Sequence, residues 1–174
     1  MDVGGGSTEY IFRTKKNPPQ PLQCISLPLG ALRLTEEFLH GDPPSLHEVT
    51  KLRNKINKSL LQVPPHTEGT LVGIGGTATT LGSMHLGLDV FDLERIHGLL
   101  LNSDDLSTHM NELQEKSLAR RRQIKGLAAE RADIILAGAM IILSSMERLK
   151  KDLLHINCHG LRYGLFYQRF MDTE

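Results

Sequence analysis

The most constraining feature of this 174-residue chain is a segment from Ala132 to Leu149 that is apolar on nearly every side. A helix with apolar residues all round is stable only when other elements cover it, so the segment predicts a central, buried helix. Its longest apolar stretch, Ile134 to Met146, has thirteen residues, whereas a membrane span needs about 20. The segment therefore predicts the core of a globular domain and argues against membrane insertion.

Strand and helix patterns alternate along the chain. Strands are predicted at residues 1–3, 10–12, 22–29, 71–74, 95–101 and 153–158, and helices at residues 31–39, 46–64, 77–86, 102–116, 132–149 and 161–170. The second helix has the clearest start, because Ser45 and Glu48 form a capping box. Residues 14–21 are polar and proline-rich and predict a loop. The alternation predicts an α/β fold.

Composition excludes several classes of function. Lysine plus arginine and aspartate plus glutamate each number 20, so the formal charge is zero and a polybasic protein that binds nucleic acid or membranes is not indicated. Aromatic residues make up 5% of the chain and tryptophan is absent, which argues against a base-stacking surface. Two isolated cysteines, Cys24 and Cys158, and the lack of a signal-peptide pattern predict a reducing, cytoplasmic location.

The segment Asp2-Val3-Gly4-Gly5-Gly6-Ser7-Thr8-Glu9 is the first whose residues predict chemistry. Three glycines let the backbone turn sharply and bring its N–H groups close to an anion, and Ser7 adds a hydroxyl donor. Asp2 and Glu9 supply the hard oxygen ligands that Mg²⁺ prefers beside phosphate oxygens. The alternative is a glycine-rich hairpin turn that carries two incidental carboxylates.

A second glycine turn, Gly73-Ile74-Gly75-Gly76-Thr77, lies between a predicted strand and a predicted helix. The N-terminus of a helix that is reached through glycines favours anions, because its N–H groups are free and its dipole is positive there. No lysine follows the glycines, so the segment is not a Walker loop. The alternative is a tight connection in which Thr77 is simply the N-cap of the helix.

A third glycine segment, Gly160-Leu161-Arg162-Tyr163-Gly164, lies where the last predicted strand meets the last helix. Arg162 either faces a phosphate or solvates the start of that helix. The preceding strand carries His155, Cys158 and His159, but side chains alternate between the faces of a strand, which turns the thiol away from both imidazoles. A metal site is therefore not predicted there.

A short basic cluster contains Arg120, Arg121, Arg122 and Lys125. Such a cluster either extends the path of a polyanion or is a solvated helix face, and the second reading is the commoner one.

The three glycine segments, taken in order, resemble the exopolyphosphatase and guanosine-pentaphosphate phosphohydrolase family. The likeness lies in residues 2–9, 73–82 and 160–164, with additions at residues 27–31, 97–98 and 130–133. It spans nearly the whole chain. The resemblance implies a ribonuclease-H-like α/β domain of the superfamily of actin, sugar kinases and chaperone ATPases, in which helices flank a mixed sheet.

Members of that family have two such domains around a cleft. The resemblance implies that residues 1–174 are the second, C-terminal-side domain, since Met1 comes directly before the motif of that domain at residues 2–9. The first domain, which would carry the glutamate that activates water, is expected to be a missing partner, so the isolated chain is expected to be inactive. A bared domain interface is also expected to permit self-association into homo-oligomers.

The resemblance also implies roles for individual residues. Phosphate binding falls to Gly4, Gly5, Gly6, Ser7, Gly75, Gly76 and Thr77, Mg²⁺ binding to Asp2 and Glu9, and a contact with substrate to Arg162. The implied reaction is release of the terminal phosphate from inorganic polyphosphate or guanosine pentaphosphate.

Two other functions stay open on the sequence. One is a non-catalytic regulatory module that keeps the fold and binds phosphate or nucleotide. The other is half of a sugar or acetate kinase, which the Asp-x-Gly-Gly-Gly-Ser-x-Glu pattern of residues 2–9 fits less well.

Overall fold

The computed structural model of the protein describes residues 1–13, 21–65 and 68–171. Of the loop predicted at residues 14–21, all but Pro21 lies outside the described residues.

Six short strands of the described residues form two three-stranded sheets. They are β1 (Asp2–Val3), β2 (Thr8–Phe12), β3 (Gln23–Leu27), β4 (Leu71–Gly73), β5 (Leu100–Asn102) and β6 (Leu153–Ile156). Strands β1, β2 and β3 are antiparallel in that order, while β6 lies between β4, which is parallel to it, and β5, which is antiparallel. A parallel bridge between Asp2 on β1 and Ile74, the residue after β4, joins the two sheets edge to edge into one mixed sheet.

Helices cover the sheet, and the α/β prediction is confirmed. They are α1 (Ala31–Phe38), α2 (Leu46–Leu60), α3 (Gly75–His85), α4 (Leu93–Ile96), α5 (Ser103–Glu115), α6 (Leu118–Arg121), α7 (Ile135–Leu149) and α8 (Leu161–Phe170), with a 3₁₀ turn at Ala129–Arg131. Within the described ranges the longest helices have fifteen residues, and none has the length and hydrophobicity that crossing a membrane requires.

Helix α7 is the centre of the core, as its all-round apolar sequence predicts. Thirteen of its fifteen residues are buried, and it packs against α1, α2, α3 and α5. The hydroxyls of Tyr10 on β2 and Ser145 on α7 lie 2.6 Å apart and join sheet to helix. Burial raises the pKa of Tyr10 to about 12, so this link stays neutral over the physiological range. The helix begins three residues later than predicted, because the 3₁₀ turn precedes it.

The strand predicted at residues 95–101 is wrong in its first half. Asp92 accepts hydrogen bonds from the N–H groups of Glu94 and Arg95 and thereby starts the short helix α4. Gly98, with φ of +80°, then turns the chain, and its N–H donates to the carbonyl of Ile156 before β5 begins. A side-chain cap and a left-handed glycine thus override the apolar pattern of this stretch.

The capping box of α2 gives a prediction about pH. Glu48 accepts hydrogen bonds from the N–H groups of His40, Gly41 and Ser45 and from the Ser45 hydroxyl. These bonds, led by those from Ser45, lower the pKa of Glu48 from its usual 4.5 to about 2. Because the pKa is lower in the folded state, the stabilisation is complete above pH 4.5 and is lost as the pH falls toward 2.

We therefore expect Glu48→Gln to lower the urea midpoint of unfolding at pH 7 and to lower it much less at pH 3. Glu94→Gln is a suitable control, since Glu94 is also in the first turn of a helix and exposed but makes no such box. An equal loss at both pH values would contradict the role given to the carboxylate.

Candidate functional site

The first glycine turn, Gly4 to Ser7, links β1 to β2 and faces solvent at Gly5 and Gly6. The Gly4 N–H donates to the Ser7 carbonyl at 2.9 Å. The carbonyls of Gly4 and Gly5 accept the N–H groups of Ala31 (2.9 Å) and Arg33 (3.1 Å) at the start of α1. In the part of the chain that the structure describes, no backbone acceptor takes the N–H groups of Gly5 and Gly6. The carbonyls of Gly4 and Gly5 are thus engaged within the fold, whereas the N–H groups of Gly5 and Gly6 are available to bind a ligand.

Gly30 holds this turn in place, a role the sequence reasoning missed. A Cβ on Gly30 would overlap the Gly5 carbonyl and the backbone of Gly6. Its φ of −111° is open to any residue, so the need for glycine here is one of space. The sequence did contain a signal for this role, because Gly30 lies in the segment of residues 27–31 that contributes to the family resemblance.

The second glycine turn lies directly against the first strand. Gly75 has φ of +83°, and a Cβ there would overlap the carboxylate of Asp2. The parallel bridge between Asp2 and Ile74 sets this approach. The structure thus brings together the two glycine segments that the sequence predicts separately, with the Asp2 carboxylate between them.

Helix α3 begins at Gly75, with Ile74 as its N-cap, so the reading of Thr77 as N-cap is wrong. Thr77 is buried in the first turn, and its hydroxyl donates to the carbonyl of Val3 at 3.0 Å. This bond ties the start of α3 to β1. What Thr77 offers to a ligand is its N–H, which, like those of Gly75 and Gly76, has no backbone acceptor within the described ranges.

Asp2 and Glu9 are cross-strand partners on β1 and β2. Glu9 Oε1 accepts the hydroxyls of Ser7 (2.6 Å) and Ser26 (2.9 Å), so the Ser7 hydroxyl is engaged with Glu9. Burial, and then the charge of Glu9, raise the pKa of Asp2. Two neighbouring carboxylates that repel each other, beside free amides, suit a hard divalent cation that also takes phosphate oxygens. Among the described residues no cluster of three or more Asp, Glu, His or Cys side chains could hold a metal ion alone, so Asp2 and Glu9 would take Mg²⁺ only together with phosphate oxygens.

Arg131 is a site residue to which the sequence reasoning gave no role. It ends the 3₁₀ turn before α7, and a Cβ on Gly76 would overlap its guanidinium. In the described ranges no ion pair or side-chain hydrogen bond engages this guanidinium. A cation at the positive end of a helix is unfavourable unless an anion lies between them. A side chain at Gly76 would therefore have to displace the Arg131 guanidinium, and one at Gly75 would meet both the Asp2 carboxylate and a φ of +83° that favours glycine.

Arg162 is exposed on the second residue of α8. In the described ranges no hydrogen bond or ion pair of its side chain joins it to either glycine turn. The nearby imidazole of His159 packs between the tilted rings of His97 (ring centroids 4.5 Å apart) and Tyr163 (4.4 Å). The Cys158 thiol instead lies 3.7 Å from the Leu93 carbonyl. The structure therefore gathers Asp2, Glu9 and both glycine turns, and leaves Arg162 at the start of α8.

The basic cluster is not one continuous surface. Arg121 is buried, and its Nε donates to the Leu113 carbonyl at 2.7 Å. Arg120 and Lys125 line a groove with Met84, near the C-terminal end of α3 and so at the opposite end from the glycine turns. Helix α3, which has eleven residues and rises by about 1.5 Å per residue, separates this groove from the candidate site.

The fold and the matches to known proteins agree. Residues 1–172 match the Ppx/GppA phosphatase family. Exopolyphosphatase 2 of Mycobacterium tuberculosis is 30% identical over 173 residues, which are 95% of this chain and 53% of that protein. The crystal structure of the Aquifex aeolicus Ppx/GppA phosphatase (type II variant) has a TM-score of 0.89 and 34% identity and covers 97% of this chain and 55% of its own.

A further relative widens the range of proteins that contain this fold. The bifunctional 3-dehydroquinate synthase/phosphatase of Fusobacterium nucleatum is 30% identical over 162 residues, 90% of this chain and 24% of that protein.

The fold is thus an α/β domain of the actin-like ATPase type. The chain belongs to the Ppx/GppA phosphatase family, and the resemblance drawn from the glycine segments is confirmed. The chain spans about half the length of the exopolyphosphatases it matches.

Proposed function

We propose that this chain is the C-terminal-side half of a Mg²⁺-dependent phosphohydrolase that releases terminal phosphate from inorganic polyphosphate or guanosine pentaphosphate. The observation that carries the proposal is the close approach of the Asp2 carboxylate to Gly75, which joins two glycine turns and their free amides into one site. The names of the relatives favour polyphosphate, since those from Mycobacterium are exopolyphosphatases. The two free cysteines support a reducing location, the cytoplasm.

The residues of this chain would bind and position the terminal phosphoryl group. Phosphoryl transfer depends on positioning and on stabilisation of charge more than on covalent catalysis. The N–H groups of Gly5, Gly6, Gly75, Gly76 and Thr77 would donate to its oxygens, and the Arg131 guanidinium would add a positive charge. Asp2 and Glu9 would hold Mg²⁺, which, when bound, neutralises and orients the phosphoryl oxygens.

The attacking water needs a base on the opposite side of the phosphoryl group, in line with the bond that breaks. We propose that this base is a glutamate of a first domain, which the longer relatives have room for and which this chain would need as a partner. Arg162, at the start of α8, would contact the substrate from the rim of such a cleft. The isolated chain would then bind phosphate but turn it over little or not at all.

Calorimetric titration of the chain with short-chain polyphosphate tests the site. We expect binding that requires Mg²⁺ and that Asp2→Asn weakens at least about tenfold, since a hydrogen bond or ligand bond to a charged group contributes about 1.5–3 kcal/mol. Asp152→Asn is the matched control, because Asp152 is an exposed carboxylate that makes no ion pair within the described ranges. Binding that is equal in Asp2→Asn and wild type would contradict the role of Asp2.

A second candidate, a non-catalytic module that binds phosphate or nucleotide, is favoured by one observation: the chain corresponds to about half of its relatives. Phosphate release distinguishes the two. A two-domain parent protein that binds polyphosphate through Asp2 yet releases no phosphate would support the regulatory module. Robust phosphate release by the isolated chain, lost in Asp2→Asn, would show that no second domain is needed.

A further inference from the structure

The groove at the C-terminal end of α3 has no part in the proposed function. Its volume is about 600 Å³, which lies within the range of ligand pockets, about 300–1,000 Å³. Three cations, Lys116, Arg120 and Lys125, line it together with one carboxylate, that of Glu112. The lining therefore has an excess of positive charge, although the chain as a whole is neutral, and such a concave surface concentrates anions.

The short helix α6 determines which part of the basic cluster reaches the groove. Successive residues of a helix are about 100° apart around its axis. Arg121 is buried, and its Nε donates to the Leu113 carbonyl at 2.7 Å, which anchors α6 to α5. Arg120 lines the groove, whereas the exposed Arg122 is absent from the described residues that line it. Three adjacent arginines thus face three directions, and only one of them faces the groove.

Gly126 fixes the opposite wall of the groove. It has φ of +79°, and a Cβ there would overlap the carbonyl of Ser83 and the backbone of Met84. The chain that follows α6 therefore runs directly against the last turns of α3, which places Lys125 beside Met84 in the lining. The C-terminal end of a helix is equivalent to about half a negative charge. That partial charge accounts for one nearby cation but not for three.

The cations of the groove are available to a ligand. The Lys116 Nζ lies 3.1 Å from a Glu112 oxygen, and the Lys125 Nζ lies 3.1 Å from an Asp89 oxygen. All four side chains are at least a third exposed, and exposed ion pairs contribute only about 0.2–1 kcal/mol. Arg120 makes no ion pair within the described ranges. An anion with several charges can therefore replace the two carboxylates at little cost.

The chemistry of the lining favours one class of ligand. The guanidinium and ammonium groups are donors without acceptors, so they suit phosphate oxygens. None of the seven described residues that line the groove is aromatic, so it offers no ring on which a nucleobase would stack. Met84 and Ile124 are its apolar side chains, which are too few for an apolar ligand. The lining thus favours an inorganic anion with several charges over a nucleotide.

We propose that this groove is a second anion site, which binds inorganic oligophosphate through Lys116, Arg120 and Lys125 independently of the glycine turns. The two sites lie at opposite ends of α3. A polyphosphate chain long enough to occupy both is held more tightly than a short one, because its second contact is intramolecular. This retention of long chains rests on the proposed function, whereas the binding of oligophosphate in the groove does not.

An NMR titration of the ¹⁵N-labelled chain with tripolyphosphate, in buffer free of divalent metal, tests the groove. We expect saturable shifts of the amides of residues 112–126. The double variant Arg120→Gln, Lys125→Gln should weaken this binding about tenfold or more, since it removes two charged donors. Arg122→Gln is the matched control, because it removes the same charge one turn of chain away, outside the groove. It should change the affinity by less than about twofold, since salt screens a charge that does not contact the ligand.

Three results would overturn the proposal. One is a set of shifts confined to residues 4–7 and 75–77. Another is equal weakening by Arg122→Gln and the double variant, which would mean diffuse attraction to a positive surface. The third is equal binding of sulfate at the same ionic strength, which would mean that the groove does not recognise a chain of phosphates.

Asp2→Asn separates this proposal from the proposed function. The variant should lose the Mg²⁺-dependent binding at the glycine turns and keep the metal-free shifts of residues 112–126. Metal-free shifts in the groove without any Mg²⁺-dependent binding through Asp2 would contradict the proposed function and support the groove. Binding through Asp2 without shifts in the groove would do the reverse.

Discussion

Gly30→Ala is expected to destabilise the fold and to abolish phosphate binding, although Gly30 contacts no proposed ligand. The new Cβ would overlap the Gly5 carbonyl and the Gly6 backbone, neither of which is the free end of a flexible side chain. The turn or the start of α1 must therefore move, at a cost of about 1–3 kcal/mol for an overpacked site. The same movement would disturb the amides of Gly5 and Gly6, and with them the anion site.

Urea unfolding and polyphosphate titration measure the two effects separately. Gly6→Ala is the control for stability, because a Cβ on Gly6 meets no atom of the described residues within 4 Å. Its unfolding midpoint should stay close to that of the wild type. An unchanged midpoint for Gly30→Ala would show that the packing of Gly30 against the turn does not constrain the fold.

Local chemistry made much of the fold predictable. The capping box at Ser45 and Glu48 places the start of α2, and the all-round apolar segment places α7 in the core. Both signals act over a few residues, so the sequence displays them directly. The glycine turns are visible for the same reason, since glycine runs mark turns in the sequence itself, although among these glycines only Gly75 has a positive φ.

The arrangement of the site depends on contacts between distant segments, which no local pattern encodes. Asp2 meets Gly75 across more than seventy residues, and Arg131 meets Gly76 across more than fifty. From the sequence alone, the glycines at these two positions are explained equally well by a turn. The structure adds that each glycine leaves room for a charged side chain from another element. The sequence does not predict that the aromatic side chains of α8 are exposed, because their spacing of three and four residues is also that of an ordinary buried helix.

The contact between Arg131 and Gly76 gives the second large expected effect. We expect Arg131→Gln to weaken polyphosphate binding about tenfold to 100-fold, the loss of one charged hydrogen bond of about 1.5–3 kcal/mol. Without phosphate, the variant should be as stable as the wild type or more stable by about 0.3–1 kcal/mol, because it removes a cation from the positive end of α3. Loss of binding together with unchanged or higher stability separates a ligand contact from a structural one.

Gly76→Ala tests the same contact from the other side. Its Cβ would displace the guanidinium of Arg131, which is the free end of a flexible side chain, so the fold should tolerate the change. Binding should nevertheless fall to nearly the level of Arg131→Gln, because the cation has been pushed from the anion site. The double variant should then bind no more weakly than Arg131→Gln alone, since both changes remove one interaction. Calorimetric titration of the wild type, Arg131→Gln, Gly76→Ala and the double variant tests this expectation. Losses of binding free energy that add in the double variant would mean that Gly76 and Arg131 act on phosphate independently.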